Sequence, residues 1–179
     1  GTSHYLGQNF AKAFDVKFQT EDNKEKLVYA TSWGVSTRLI GAIIMVHGDD
    51  KGLRLPPKIA PIQIVIVPIL RKDSNPDDIL KYIQKLKDEL VENNIRVDVD
   101  MREKLSPGHK FNEWEMKGVP IRIEVGPRDI DNNELVVCRR DENTKKTISI
   151  ENSSGLLIRL LNEIQNNLFQ QAKTFMENH

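Results

Sequence analysis

The chain has 179 residues, with 26 basic and 26 acidic side chains and a formal net charge of zero. That length holds one domain or two small ones with a real apolar core. The charge balance excludes a protein held to nucleic acid by bulk positive charge, but not one with a local basic patch. Cys138 is the only cysteine, which excludes an internal disulfide and a CxxC metal knuckle and fits a reducing compartment. No signal peptide, membrane span or lipidation motif is read. The chain opens on GTSHYLG and stops inside a charged helical stretch, so both ends read as the edges of a fragment.

Taken in order, residues 1–8 are polar and glycine-punctuated, and Phe10 to Phe18 carries apolar residues at mixed spacing that end as a strand. TEDNKEK is a charged turn and Leu27 to Thr31 a short strand, so 15–31 is expected to form a hairpin. The apolar run 37–47 reads as a buried helix, too short to span a membrane. HGDDKGLRLPPKIAP follows, with two glycines and three prolines in fifteen residues. Such a stretch continues neither a helix nor a central strand, and a domain boundary is expected near Pro56 to Pro61.

Beyond it the pattern is regular. IQIVIVPIL, residues 62–70, is β-branched at nearly every position, the mark of a strand buried on both faces. Ser74 or Asn75 then caps a helix, with Pro76 in its first turn, Asp77 and Asp78 at the positive end of its dipole, and Ile79, Ile83, Leu86 and Leu90 along one face. Asn93 and Asn94 end it. Ile95 to Met101 is a second strand, completing a βαβ unit whose crossover should be right-handed. Pro107 opens a helix holding Phe111, Trp114 and Glu115, closed by Gly118. VPIRIEVG alternates apolar residues with Arg122 and Glu124 as a half-exposed strand does. GPRDIDNN reads as a loop, Leu135–Arg139 and Thr147–Ile150 as strands, and Leu157, Leu160, Leu161, Ile164 and Leu168 as the apolar face of a closing helix. The fold class is α/β, with a mixed sheet of about five strands and three helices in the second part.

Four features carry chemistry, each with a plain structural alternative. Thr2, Ser3 and His4 stand together, although a lone histidine is more often structural. Arg38 follows Gly34 in TSWGVSTR, as in a phosphate clamp or a turn into a core helix. DMREKLSPGHK places Arg102, Lys104, His109 and Lys110 on a loop at a strand end, where open sheets bind ligands, or where a basic loop is simply solvated. GVPIRIEVGPRD carries Arg122 and Glu124 on a strand, where their plain role is to pair across the sheet. There is no Walker loop, GxGxxG, HExxH or serine elbow, and Asp49 and Asp50 have no neighbours that make a metal site.

TSHYLGQNFAKAF, TSWGVSTRLIGAIIMVHGDDKGLRLPP, SPGHKFNEWEMKGVPIRIEVGPRD and VVCRRD together resemble the prolyl-tRNA synthetases, of the archaeal and eukaryotic-like type. The resemblance implies that residues 1–58 are the end of a class II catalytic domain of antiparallel-sheet type, with TSWGVSTR as motif 3, and that 59–179 are an anticodon-binding α/β domain. It implies ATP contacts at Thr2, Ser36 and Arg38, with Arg38 catalytic near the γ-phosphate, and a proline pocket at His4, Trp33 and Gly34. It places Arg102, Lys104, Lys110, Glu115 and Arg128 near the anticodon, and no metal ligand in this chain. The implied partners are tRNA(Pro), L-proline and ATP with Mg²⁺, in a cytoplasmic homodimer with no membrane contact. The implied activity is that of a proline–tRNA ligase, of which this chain would be a part. A non-catalytic tRNA-binding module and a class II synthetase for another amino acid are the alternatives.

Overall fold

Strand pairing in the first unit joins segments that sequence periodicity does not connect. The computed structural model describes residues 1–70 and 76–179, and its contacts divide the chain into the units Gly1–Ala42 and Ile43–His179. In the first, β1 (Thr2–Gly7) pairs antiparallel with β4 (Ala30–Gly34), setting Thr2 opposite Gly34, Ser3 opposite Trp33 and His4 opposite Ser32. Between them lie α1 (Asn9–Phe14) and the hairpin β2 (Lys17–Gln19) with β3 (Glu25–Leu27). The hairpin closes through TEDNKEK, with Asn23 at φ 57°, as expected. The single strand expected at 27–31 is instead the end of β3 and the start of β4. Neither β1 nor α1 is visible in the periodicity, because a polar stretch rich in small residues has no apolar alternation to read. α2 (Arg38–His47) forms where the apolar run requires a helix, but none of its residues is buried. The expectation of a buried helix fails because burial needs a covering surface, which these residues do not supply.

In the second unit, β5 (Ile64–Pro68) is buried at every position. Parallel strands flank it on both sides, β6 (Val97–Val99) and β7 (Ile121–Val125). β8 (Glu134–Arg139) and β9 (Thr144–Ser149) continue antiparallel, giving the five-stranded order β6-β5-β7-β8-β9. α3 (Pro76–Glu92) buries Ile79, Ile83, Leu86 and Leu90 as its spacing dictates, and Asn94 ends it at φ 59°. The expected cap at Ser74 or Asn75 lies outside the described residues. α4 (Pro107–Met116) is capped by Ser106, whose Oγ accepts from His109 N at 3.3 Å. α6 (Ser153–Asn178) packs with α3 against Ile64, Ile66, Ile121, Ile123, Leu135 and Val137 on one sheet face. On the other face, α4 places Trp114 against Val65 and Val67.

Two readings of this unit change. β7 is an interior strand rather than a half-exposed one, and Glu124 is buried, because β8 and β9 extend the sheet beyond it. GPRDIDNN contains a helical turn, α5 (Pro127–Asp131), closed by Gly126 N donating to Asp129 Oδ2 at 2.7 Å.

Residues 47–55 are tied to the second unit. Leu53 N donates to Met116 O (3.0 Å) and Leu55 N to Gly118 O (3.1 Å). Arg140 grips the Asp49 carboxylate with both terminal nitrogens, at 2.7 and 2.5 Å. Hence the units part at Ala42, ahead of the proline-rich stretch.

Candidate nucleic-acid interface

The sheet face under α4 is only partly covered. Strand register lines up Val65, Arg122, Cys138 and Lys145 across it, and beside them Val67, Glu124, Val136 and Thr147. α4 lies over the β5 end, so the charged residues toward β9 remain uncapped. Arg122 donates to Glu124 Oε1 from Nε (3.2 Å) and from a terminal nitrogen (3.0 Å), and to the Phe111 carbonyl at 3.2 Å. Lys145 Nζ donates to both Glu124 oxygens, at 2.8 and 3.0 Å. Both cations sit on the Phe111 ring, Arg122 at 4.6 Å and Lys145 at 5.4 Å from its centroid. Arg122 and Glu124 therefore pair along one strand.

Burial alone would raise the Glu124 carboxyl, but hydrogen bonds from Lys145, Cys138 and Arg122 outweigh it and hold it below its ordinary range. Cys138 donates its thiol to Glu124 Oε1 at 3.2 Å, and burial together with that bond pushes it up to about 11.

Next to this ledge is a cavity of about 180 Å³, lined in part by Lys51, Glu115, Arg122, Arg140 and Thr144. Glu115 faces Lys51 Nζ at 3.3 Å and Arg122 at 4.0 Å. Thr144 Oγ1, in the same lining, is buried without a hydrogen-bond partner among the described residues. An acid, several cations and an unsatisfied hydroxyl beside an aromatic ring form a donor–acceptor set suited to a base edge, with the ring as stacking platform.

A second cluster lies at the C-terminal ends of β5 and β6, around a groove of about 600 Å³ lined in part by Pro68, Leu70, Asp100, Arg102, Lys104 and Lys110. Here the connections depart to opposite faces, α3 to one and α4 to the other, the arrangement at which open sheets bind ligands. Arg102 is half-exposed and salt-bridged to Asp100 and Glu113. Arg102 holds the Asp100 carboxyl far below the usual carboxylate range. Lys104 is exposed on the loop, whereas Lys110 is buried, with Nζ 3.0 Å from the Asp100 carbonyl. Lys110 thus faces inward and supports the cluster. Arg128 is exposed on α5.

Of the expected anticodon residues, Arg102, Lys104 and Lys110 are brought to one groove and Glu115 to the sheet-face cavity. Sequence spacing does not reveal the roles of Asp100, Arg122 and Lys145. Asp100 reads as a strand-end acid, and the convergence of Arg122 with Lys145 exists only in the register.

In the first unit, facing pairs share a side of a two-stranded sheet. Thr2, His4, Ser32 and Gly34 therefore stand on one face, with Ser3, Tyr5 and Trp33 on the other. Thr2 Oγ1 lies over Gly34, 3.8 Å from where a Cβ would be. Arg38 opens α2, its N–H 3.4 Å from Ser36 Oγ. Of the expected ATP and proline residues, the register brings Thr2, His4 and Gly34 to one face, Ser36 and Arg38 follow at the start of α2, and Trp33 is 80 % exposed on the opposite face.

The second unit is thus a mixed sheet with two helices on one face, a cation-edged aromatic ledge on the other and a guanidinium-lined groove at its strand ends. The chain belongs to the anticodon binding domain family, whose sequence pattern matches residues 63–160. More particularly, it is similar along its whole length to curated proline–tRNA ligases. It is 52% identical over 179 residues to that of Symbiobacterium thermophilum, covering 100% of this chain and 36% of the relative. It is 50% identical to that of Flavobacterium johnsoniae, with the same coverage, and 51% identical over 177 residues to that of Deinococcus radiodurans, covering 98% and 35%. The chain thus spans about 36% of the length of the first of these relatives.

Proposed function

We propose that the chain is the part of a proline–tRNA ligase that carries the anticodon-binding domain, residues 59–179, together with the end of the class II catalytic domain, residues 1–58. The observation that carries this reading is the Phe111–Arg122–Lys145 ledge beside Glu115, in a chain about half identical along its whole length to proline–tRNA ligases. The ledge supports stacking of a splayed anticodon base on Phe111, with its edge facing Glu115 and Arg122. Lys104, Arg102 and Arg128 supply cationic contacts to the loop, and Lys110 acts through Asp100. A local basic surface on a neutral chain is sufficient, because phosphate contacts depend on distribution rather than on total charge.

The whole enzyme joins L-proline to tRNA(Pro) through prolyl-adenylate, in the cytoplasm and as a homodimer. TSWGVSTR serves as motif 3 of an archaeal and eukaryotic-like enzyme. Thr2, Ser36 and Arg38 offer two hydroxyls and a permanent cation, a donor set that fits ATP, and the open face around Gly34 lets a ligand approach the backbone. His4 shares that face and belongs to the proline pocket. Trp33 borders the pocket from the opposite side of the strand pair. Mg²⁺, carried on the nucleotide's phosphates, adds charge neutralisation. Arg38, near the γ-phosphate, stabilises the negative charge of the departing pyrophosphate as the proline carboxylate attacks the α-phosphate and the bond to pyrophosphate breaks.

The experiment is a pair of assays on the full-length ligase. Lys145→Ala is expected to lower tRNA charging about tenfold, the loss of one good contact, with proline-dependent ATP–pyrophosphate exchange unchanged. Arg38→Ala is expected to abolish exchange itself. Equal losses in both assays for Lys145→Ala would remove the anticodon assignment.

A further inference from the structure

Asp100 directly follows β6 with a side chain that is wholly buried, yet it is the most heavily engaged carboxylate of the strand-end cluster. Its Oδ1 accepts from Arg102 Nε at 2.9 Å, and its Oδ2 accepts from an Arg102 terminal nitrogen at 2.7 Å and from Trp114 Nε1 at 2.8 Å. Arg102 N also donates to Oδ1 at 3.2 Å, and Lys110 Nζ stands 3.6 Å from it. A buried ion pair of this kind is seldom retained for stability, since desolvation offsets most of its Coulomb attraction. What it fixes is orientation.

The orientation can be counted atom by atom. A guanidinium has five N–H groups. Asp100 takes the one on Nε and one on the NH2 nitrogen, and Glu113 accepts one from the NH1 nitrogen at 2.8 Å. Among the described residues two are left without a partner, one on each terminal nitrogen. The side chain is still 44% exposed, and it lines the groove beside Lys104 and Ser106. The Trp114 ring lies 6.0 Å from the guanidinium carbon, and Lys117 sits over the same ring at 4.5 Å. Arg102 is therefore clamped at two points in the unbound chain, with one donor on each terminal nitrogen left without a partner among the described residues at the open strand ends. Ordering an arginine side chain costs rotamer entropy, and here that cost is met before any ligand arrives.

We propose that Asp100 is a positioning residue, holding Arg102 so that its two free terminal N–H groups engage a pair of acceptors on an RNA loop seated in this groove. The ligand chemistry is an acceptor pair, either two phosphate oxygens or the O6/N7 edge of a guanine. The inference rests on the anticodon-binding reading and adds a residue that touches no RNA.

The test is fluorescence anisotropy of a labelled tRNA(Pro) anticodon stem–loop titrated with the 179-residue chain at fixed salt. Simple electrostatics and positioning predict opposite signs. Removing a negative charge next to a cationic groove should tighten RNA binding if charge alone matters. Positioning predicts that the near-isosteric Asp100→Asn weakens it about tenfold. It also predicts that Asp100→Asn combined with Arg102→Ala binds no more weakly than Arg102→Ala alone, because both act through one guanidinium. Unchanged or tighter binding by Asp100→Asn, or additive losses in the double variant, would overturn the proposal. Should Asp100→Asn fail to fold by circular dichroism, Glu113→Gln carries the same test from the other end of the clamp: weaker binding that disappears in an Arg102→Ala background is expected, and tighter or Arg102-independent binding overturns the idea. Stem–loops with each anticodon base exchanged in turn separate the acceptors. A loss from Arg102→Ala that is uniform across them identifies phosphate, and one confined to a single position identifies a base. If the unaltered chain does not prefer this stem–loop to an unrelated hairpin, the anticodon-binding reading itself fails, an outcome distinct from failure of the clamp.

Discussion

Gly118 is a position where one added methyl should be costly, and the cost can be worked from its surroundings. Its φ is +74°, in the left-handed region, and an ideal Cβ there would fall 2.5 Å from Leu53 Cβ and 2.6 Å from the Leu53 carbonyl carbon. Gly118→Ala therefore combines backbone strain of about 1 kcal/mol with a clash against main chain that no rotamer relieves. Moving Leu53 away breaks the bonds from Leu53 N to Met116 O and from Leu55 N to Gly118 O, each worth about 1 kcal/mol net. The total is about 3 kcal/mol. With a urea m-value of about 2 kcal/mol/M, the unfolding midpoint should fall by about 1.5 M. Trp114 emission suits the assay, since this tryptophan is buried in the same unit whereas Trp33 is exposed. Gly155→Ala is the control. Its Cβ would meet nothing within 4 Å and it lies in the first turn of α6, so it should raise stability by about 0.5–1 kcal/mol. A midpoint for Gly118→Ala within about 0.3 M of the unaltered chain would refute the claim that the 49–55 strap is seated against this glycine.

Three further outcomes follow from the same geometry. Cys138, buried and raised to about 11, should resist thiol reagents at neutral pH until the chain unfolds; rapid stoichiometric labelling of the native chain would contradict its placement. For the paired acids Glu124 and Asp141, burial raises each carboxyl, but hydrogen bonds from Lys145 and Cys138 to one and from Arg139 and Asn167 to the other reverse the shift, and both end below their ordinary values. The unfolded chain then binds more protons, so their stabilisation is present above about pH 4.5 and is lost as pH falls through the folded values; a urea midpoint that rose on acidification would reverse this sign. Finally, Ile164→Ala, at a fully buried position of α6, should cost about 2–5 kcal/mol, whereas Phe175→Ala, 65% exposed on the same helix, should change stability by less than about 0.5 kcal/mol; similar midpoints for the two would refute the assigned facing of α6.

The amino-acid sequence by itself determined most of the second unit's elements, the turn of helix at α5 excepted. The β-branched run at 62–70 could satisfy its side chains only as a strand covered on both faces. Ile79, Ile83, Leu86 and Leu90 left α3 one face to bury, and Pro107 set the start of α4. These are local consequences of periodicity and capping, and they appear where the residues place them. Tertiary structure decided what pairing and covering control. β1 exists because Thr2–Gly7 meets Ala30–Gly34, a partner that a polar stretch does not announce. α2 stays unburied although its composition is that of a core helix. Arg122, Cys138 and Lys145 converge only because β7, β8 and β9 adopt one register, since a slip of one residue would send each side chain to the opposite face. Lys110, legible as a basic loop residue, turns inward to Asp100, while Arg102, eight positions earlier, keeps two donors free at the surface. Charge and residue type are written in the chain, but which charges are spent on one another and which remain for a ligand is fixed only when the fold brings the partners within hydrogen-bond reach.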